Sequence, residues 1–402
     1  MNHPTLQAQP QRDSRRSIIA MLAAPLLALA PTARAGAARP TLRVGPGRAI
    51  KTLAEASRLA PDGATVEVDA GNYRADVAVW SQRDLALRAV GGRVRLVAEG
   101  AAAEGKAIWV VRSAQMQVDG FDFEGAAVGG RNGAGIRFEA GRLRVRDCSF
   151  TGNEMGLLTN NDPNAVLEIE ASEFAHNLRP DGHNHNLYVG GIARLSVRSS
   201  YFHHAHSGHL LKSRAAHNHI FYNRLTDEPG GTASYELEFA NGGVACVVGN
   251  LIEQSAATEN PHLVSFGAEG YPWPRNALFL VNNTLVDRRP AGGIFLRVRQ
   301  GASVPVRAVN NLLVGSARLE DAGDGDYRAN VHVGLDDLAD AARADYRLRA
   351  RSPALGQAVD PGDADGCTLA PSHEYQHPRR LRPLAARAAH PGALQGTAAS
   401  RG

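Results

Sequence analysis

The chain has 402 residues, 44% of them hydrophobic, enough to bury a large core as one elongated domain or two compact ones. Its formal charge of +4 is concentrated at the start, where Arg12, Arg15, Arg16, Arg34 and Asp13 give residues 1–35 a net +3 and leave the remainder near +1, a balance that gives no sign of a nucleic-acid binder. Three cysteines, Cys148, Cys246 and Cys367, are odd in number and far apart, which argues against a disulfide framework or a cysteine metal cluster and leaves room for one bridge.

The chain opens with Ser14-Arg15-Arg16-Ser17-Ile18-Ile19, an apolar run to Ala30, and Ala33-Arg34-Ala35. This is the pattern of a twin-arginine export signal with a small-x-small cleavage site, although an ordinary secretory signal shares its positive start. Residues 1–35 are therefore expected to be a leader, and the mature protein periplasmic or secreted. No second apolar run approaches the roughly 18 residues needed to span a membrane, so none is predicted. In the segment AIKTLAEASRLA, residues 49–60, Ile50, Leu53, Ala54 and Leu59 recur at helical spacing before the turn Pro61-Asp62-Gly63. A cap helix is predicted there.

From residue 116 onward short β-rich runs repeat: MQVDGFDF, LRVRDCSF, LEIEASEF, LSVRSSYF, NHIFYNRL, CVVGNLI, LFLVNNTL and VRAVNNLL. Their final apolar residues are 27, 24, 28, 23, 27, 33 and 28 residues apart. Two positions before those anchors stand Cys148, Ser172, Ser200, Asn223, Asn250, Asn283 and Asn311, as expected where small polar side chains hydrogen-bond along stacked strands. A second series lies between: GIRFEAG, GLLTNND, NLYVGG, HLLKSR, ELEFANGG, HLVSFGAEG and IFLRVRQ. Two or three strands per repeat and no long helical pattern predict an all-β, right-handed parallel β-helix over residues 36–361. A two-sheet sandwich is the alternative, but hairpin signals are few. Residues 362–402, rich in Pro, Ala, Arg and Gly, read as a poorly ordered tail. VGPGRAIKTLAEASRLAPDGATVEVDAGNY resembles the first coil, and ADYRLRARSPALGQAVDPG the closing segment, of the pectate lyase-like superfamily of β-helix proteins.

Three residues of the chain are lysine, Lys51, Lys106 and Lys212, against 41 arginines, and Lys212 lies in HSGHLLKSRAAHNH. Nine of the fifteen histidines fall between His176 and His219. Aligning the second series on Leu187, Leu210, Leu237 and Leu263 puts Asn186, His209, Glu236 and His262 in one outward column and Tyr188, Leu211, Glu238 and Val264 in the next. Strict alternation from an inward Leu210 would send Lys212 inward, so either the strand bulges near Leu211 or Leu210 is partly exposed. Asn184, His185, Lys212 and Arg214 flank the column, and the loop GAEGYPWPRN, residues 267–276, offers Tyr271, Trp273 and Arg275 either to a sugar or to the solenoid wall. His203, His204 and His206 fall at a strand end and turn, where solvated histidines are ordinary.

LLKSRAAHNHIFYNRL followed by YELEFANGGVACVVGNLI resembles the β-helical polysaccharide lyases that include chondroitinase B and related alginate lyases. The resemblance implies an acidic, uronate-containing substrate and makes Lys212, in Lys212-Ser213, the base for β-elimination. It departs from the family at Glu238, where the family has arginine, and at the calcium ligands, where Asn184 and Asn186 stand without a glutamate. Elimination requires neutralisation of the carboxylate, a base at C5 and an acid at O4. Calcium on Glu236, Glu238 and an asparagine could neutralise the substrate, or Arg214, Asn186 or protonated His209 without metal; Tyr188 or His209 could be the acid. Alternatives are a zinc enzyme using His183, His185, His209 and His219, a glycoside hydrolase using Glu236 and Glu238, and a noncatalytic glycan-binding protein. The paired aspartates and Gly-His-Gly of polygalacturonases and the Asp-Pro-His-Asp of mannuronan epimerases are absent. The expectation is a monomeric, exported lyase of an acidic polysaccharide, with no nucleic-acid partner.

Overall fold

A computed structural model describes residues 39–179, 182–258, 260–299, 304–321, 325–364 and 366–398; the expected leader lies outside them. One sheet has ten strands, from Ala78–Trp80 through Ala107–Val111, Ala134–Phe138, Met155–Thr159, Leu187–Val189, His209–Ser213, Tyr235–Phe239, His262–Phe266 and Ile294–Val298 to Arg318–Asp321. Every neighbour pair in it is parallel. A second sheet of twenty strands takes two strands from most coils, for example Val244–Val248 and Leu251–Gln254, with Gly249 and Asn250 at the corner between them. The chain is thus a parallel β-helix. No helix among the described residues is long and apolar enough to cross a membrane.

The corner residues explain the repeat. Backbone N–H groups donate along the stack from Cys148 to Ser172 Oγ, from Ser172 to Ser200 Oγ and from Ser200 to Asn223 Oδ1. The ladder continues through Asn250, Asn283, Asn311 and Asn330, each link made by a backbone N–H and a side-chain amide at 2.9–3.1 Å. Each amide also donates to a carbonyl one coil back, such as Asn250 Nδ2 to Ile220 O at 2.8 Å, so the bent backbone keeps its hydrogen bonds while buried. Inside, Phe123, Phe150, Phe174 and Phe202 stack nearly parallel at 4.8, 4.6 and 4.8 Å, the interstrand spacing.

The cap helix runs Leu53–Leu59, with Thr52 as N-cap accepting from Glu55 N, and Asp76 accepting from Leu53 N and Ala54 N. Leu53 and Ala56 face the core, while Leu59 is 56% exposed.

The composition-based reading of residues 362–402 as a poorly ordered tail is corrected for the described residues 362–364 and 366–398. Asp363–Ala364 pairs antiparallel with Cys367–Thr368, and His373–Gln376 with Arg380–Pro383. The segment is fastened to the twenty-stranded sheet by the Cys246–Cys367 disulfide, by Leu369 packed with Tyr222, Val248 and Phe279, and by Ser372 N donating to Tyr222 Oη at 2.9 Å. Sparse apolar anchors plus one covalent link hold a stretch whose average composition is that of a loop.

Candidate active site

The register settles where Lys212 stands. Leu187, Leu211, Leu237 and Val264 share one buried column, and the next position carries Tyr188, Lys212, Glu238 and Ser265. The expected alignment on Leu210 and Leu263 is therefore one residue off. Both residues of the pairs Leu210-Leu211 and Leu263-Val264 are fully buried, so two consecutive side chains belong to the core. The outer line runs from Arg137 through Leu158, Tyr188, Lys212, Glu238 and Ser265 to Arg297. Six strand steps make it about 29 Å long.

Lys212 Nζ lies 2.9 Å from Glu238 Oε2 and 3.1 Å from Glu269 Oε1. Glu269 also receives Arg214, Nη2 to Oε1 at 2.6 Å and Nε to Oε2 at 2.8 Å. A single exposed carboxylate thus spans two cations. Arg214 Nη1 donates to the Tyr188 hydroxyl, and its guanidinium carbon sits 5.0 Å from the centre of the Tyr188 ring. Trp273 Nε1 donates to the Arg214 carbonyl at 2.9 Å and walls that side. Beside Tyr188 a cleft of about 700 Å³ opens, lined also by Arg137, Asn160, Asn161, His183 and His185.

Behind the exposed groups lies a buried polar layer. His209 Nε2 donates to Glu238 Oε2 at 2.9 Å, leaving Nδ1 without a hydrogen-bond partner among the described residues. Burial works against charge on Glu238, but His209 and Lys212 outweigh it and hold the carboxyl at about 2. For Glu269 too, burial opposes ionisation and Arg214 and Lys212 prevail, keeping it below the usual carboxylate range. His185 Nδ1 accepts from His209 N at 2.9 Å, and burial, with the nearby charges of His209, Lys212 and Arg214, pushes its pKa well below the ordinary value, so the ring is neutral.

Several expected site residues lie elsewhere. Glu236, level with Leu210 and Leu263 in this register, is fully buried, and neither carboxylate oxygen has a hydrogen-bond partner among the described residues. Burial, with Asp227 nearby, drives its pKa well above the usual range. It cannot form the expected calcium pair or hydrolase pair with Glu238, whose own oxygen already serves His209 and Lys212. Asn186 is buried in an inner ladder, accepting from Asn177 and donating to His203 O, and Asn184 donates to Arg131 O. Neither amide is presented to a substrate. Tyr271 gives its hydroxyl to Arg299 O at 3.0 Å and packs on Phe266, sealing the wall. The zinc set does not assemble, since His219 is on the other sheet, stacked on Phe221, while His183, His185 and His209 remain by the groove. His262 lies one coil beyond Tyr235 and contacts Asn260; Arg275 is exposed.

Glu269 and Arg137 were missed. Arg137 holds the same strand position as Lys212 in GIRFEAG, a signal available once the register is known. Glu269 sits in the loop read for its aromatic residues.

No family model and no curated protein sequence matches the chain. Among solved structures it is similar to a pectate lyase, Pel9A, at 11% identity and a TM-score of 0.50, covering 89% of this chain and 97% of that one. A pectin methylesterase bound to a hexasaccharide aligns at 11% identity and a TM-score of 0.32, covering 79% of this chain and 100% of the other. With the parallel ladders above, the chain has the pectate lyase-like β-helix fold.

Proposed function

We propose that this chain is an exported polysaccharide lyase that cleaves an acidic, uronate-containing polymer by β-elimination at Tyr188, Lys212 and Arg214. The observation that carries the reading is the Glu269 carboxylate, held by Lys212 and Arg214 beside the Tyr188 hydroxyl. It stands where a uronate carboxylate would bind. Substrate displaces Glu269, and the two cations neutralise its carboxylate, which acidifies the C5 hydrogen and stabilises the charge that develops on its removal.

The resemblance to chondroitinase B gives the base's role to Lys212. In this structure Lys212 Nζ is ion-paired with Glu238 and, until substrate displaces it, with Glu269. Lys212 therefore serves as a cation, and Tyr188 carries the proton. Once its hydroxyl proton has been given up, the Tyr188 oxygen, held by Arg214, takes the C5 proton; the C4–O4 bond breaks as the C4–C5 double bond forms, and the re-formed hydroxyl returns that proton to O4. Calcium has no part in this scheme because its expected carboxylates do not converge. The similarity to a pectate lyase supports the fold on which the chemistry is placed, and the cations along the groove support an anionic polymer.

The test follows ultraviolet absorbance of unsaturated uronate in the wild type and two variants. Lys212→Arg should keep measurable activity, whereas Tyr188→Phe should lose roughly 10²–10⁴-fold in kcat, the range for a proton-transfer group. A dead Lys212→Arg with an active Tyr188→Phe reverses the roles. Binding of acidic polymers without any product favours the noncatalytic glycan-binding reading.

A further inference from the structure

We propose that His176, His203 and His204 bind one divalent first-row transition-metal ion, with zinc as the reference, at a site on the twenty-stranded sheet separate from the candidate active site. Strands Glu173–Ala175 and Tyr201–His203 pair in parallel with Ala175 opposite His203, so His176 and His204 follow as the same corner residue in successive coils. Ring nitrogens of the three histidines all lie within 4.8 Å of one another. His176 stacks on His204 at 4.5 Å between centres and meets His203 edge-on at 5.9 Å.

The contacts of His203 point to a ligand. Its Nε2 is 3.2 Å from Glu173 Oε1, a contact that, in the tautomer donating from Nε2, leaves Nδ1 as the free coordinating nitrogen. Its Nδ1 is 2.6 Å from His204 Nδ1. Two ring nitrogens at that separation share one proton, which a bound cation would replace as the rings part. A histidine whose second nitrogen donates to a carboxylate is the usual arrangement around a protein-bound metal. Glu173 is itself approached by Arg379 at 3.9 Å, and Tyr201 stacks on His203 at 4.1 Å, so the ring is fixed in place.

Three imidazoles select zinc, copper or nickel over calcium or magnesium. Metal–nitrogen bonds of about 2.0–2.1 Å place tetrahedral ligand nitrogens about 3.3 Å apart, so His203 and His204 must part by a fraction of an ångström. His176 is exposed, which leaves the fourth position to water. The ion would tie two successive coils at the start of the segment that leads to His185 in the cleft.

The experiment uses the untagged mature protein, stripped with chelator and titrated calorimetrically with Zn²⁺, with Co²⁺ absorption reporting ligand geometry. The expected result is one ion per chain and a tetrahedral Co²⁺ spectrum. His204→Ala and the more exposed His176→Ala should each abolish both while melting as cooperatively as the wild type. Glu173→Gln should weaken binding 10–100-fold, and His183→Ala, by the groove, should leave it unchanged. Absence of stoichiometric binding in the wild type, or binding retained in both His176→Ala and His204→Ala, overturns the proposal and leaves a proton shared between His203 and His204.

Discussion

Replacing Glu269 by glutamine should tighten binding of uronate oligosaccharides. In the free protein its carboxylate competes for the cations assigned to the substrate, through contacts of 2.6 and 2.8 Å to Arg214 and 3.1 Å to Lys212. The side chain is 40% exposed, so these pairs are screened and belong near the surface range of about 0.2–1 kcal/mol each. The two-pronged grip of Arg214 puts them in the upper part of that range, for a total of about 1–2 kcal/mol. At about 1.4 kcal/mol per factor of ten, Glu269→Gln should lower Kd roughly 5- to 30-fold. Isothermal titration with oligouronates at constant ionic strength measures this directly, and KM should move with it. An unchanged Kd would refute competition between Glu269 and substrate. A weakened one would make Glu269 a substrate contact and equally refute the reasoning.

Three further outcomes follow from the buried groups and the disulfide. Folding lowers the Glu238 carboxyl from 4.5 to about 2, so its contribution is complete above about pH 5 and is lost as pH falls through about 2. That difference corresponds to about 3 kcal/mol, and calorimetric Tm measured from pH 6 to 3 should fall steeply in the wild type but less in a Glu238→Gln protein that starts lower. Glu236→Leu should stabilise by about 1–3 kcal/mol in denaturant melts, because an unpartnered carboxyl is replaced by a side chain matching Leu210 and Leu263. Folding raises the Glu236 pKa, so wild-type stability from this group is present at acid pH and lost as pH rises, and the variant's advantage should grow with pH; a destabilised variant would show that the carboxyl has a partner. Cys367→Ser opens a link across 121 residues, for which chain entropy gives at most about 5 kcal/mol, and limited proteolysis should then cut residues 363–398 first.

Much of the architecture was legible because a β-helix repeats its physics in every coil. Asparagine at 250, 283 and 311 recurs because each side chain must satisfy the next coil's corner, and the phenylalanines at 123, 150, 174 and 202 recur because each stacks on the last. Register was not legible at the apolar doublets. Apolar doublets such as Leu210-Leu211 fill the core with both members, so hydrophobicity does not reveal which one aligns with Leu187. Glu236 was placed outward by alternation from an inward Leu237, and only packing shows it enclosed. Glu269 reaches Lys212 across 57 residues of sequence from a loop, which no strand periodicity encodes. The C-terminal segment was misread because Cys367, Leu369 and Tyr375 are few among many loop-forming residues, yet all three are buried.

The central claim is uronate elimination on the Tyr188, Lys212 and Arg214 face. Its most direct test is ultraviolet absorbance of the unsaturated uronate as purified mature protein is incubated with a panel of acidic polysaccharides, alongside Lys212→Ala. The account predicts a rise with at least one polymer, unaffected by chelation and reduced at least about 100-fold in the variant, as when a group that stabilises developing charge is removed. A flat trace across the panel, or an equal rise from Lys212→Ala, would contradict it.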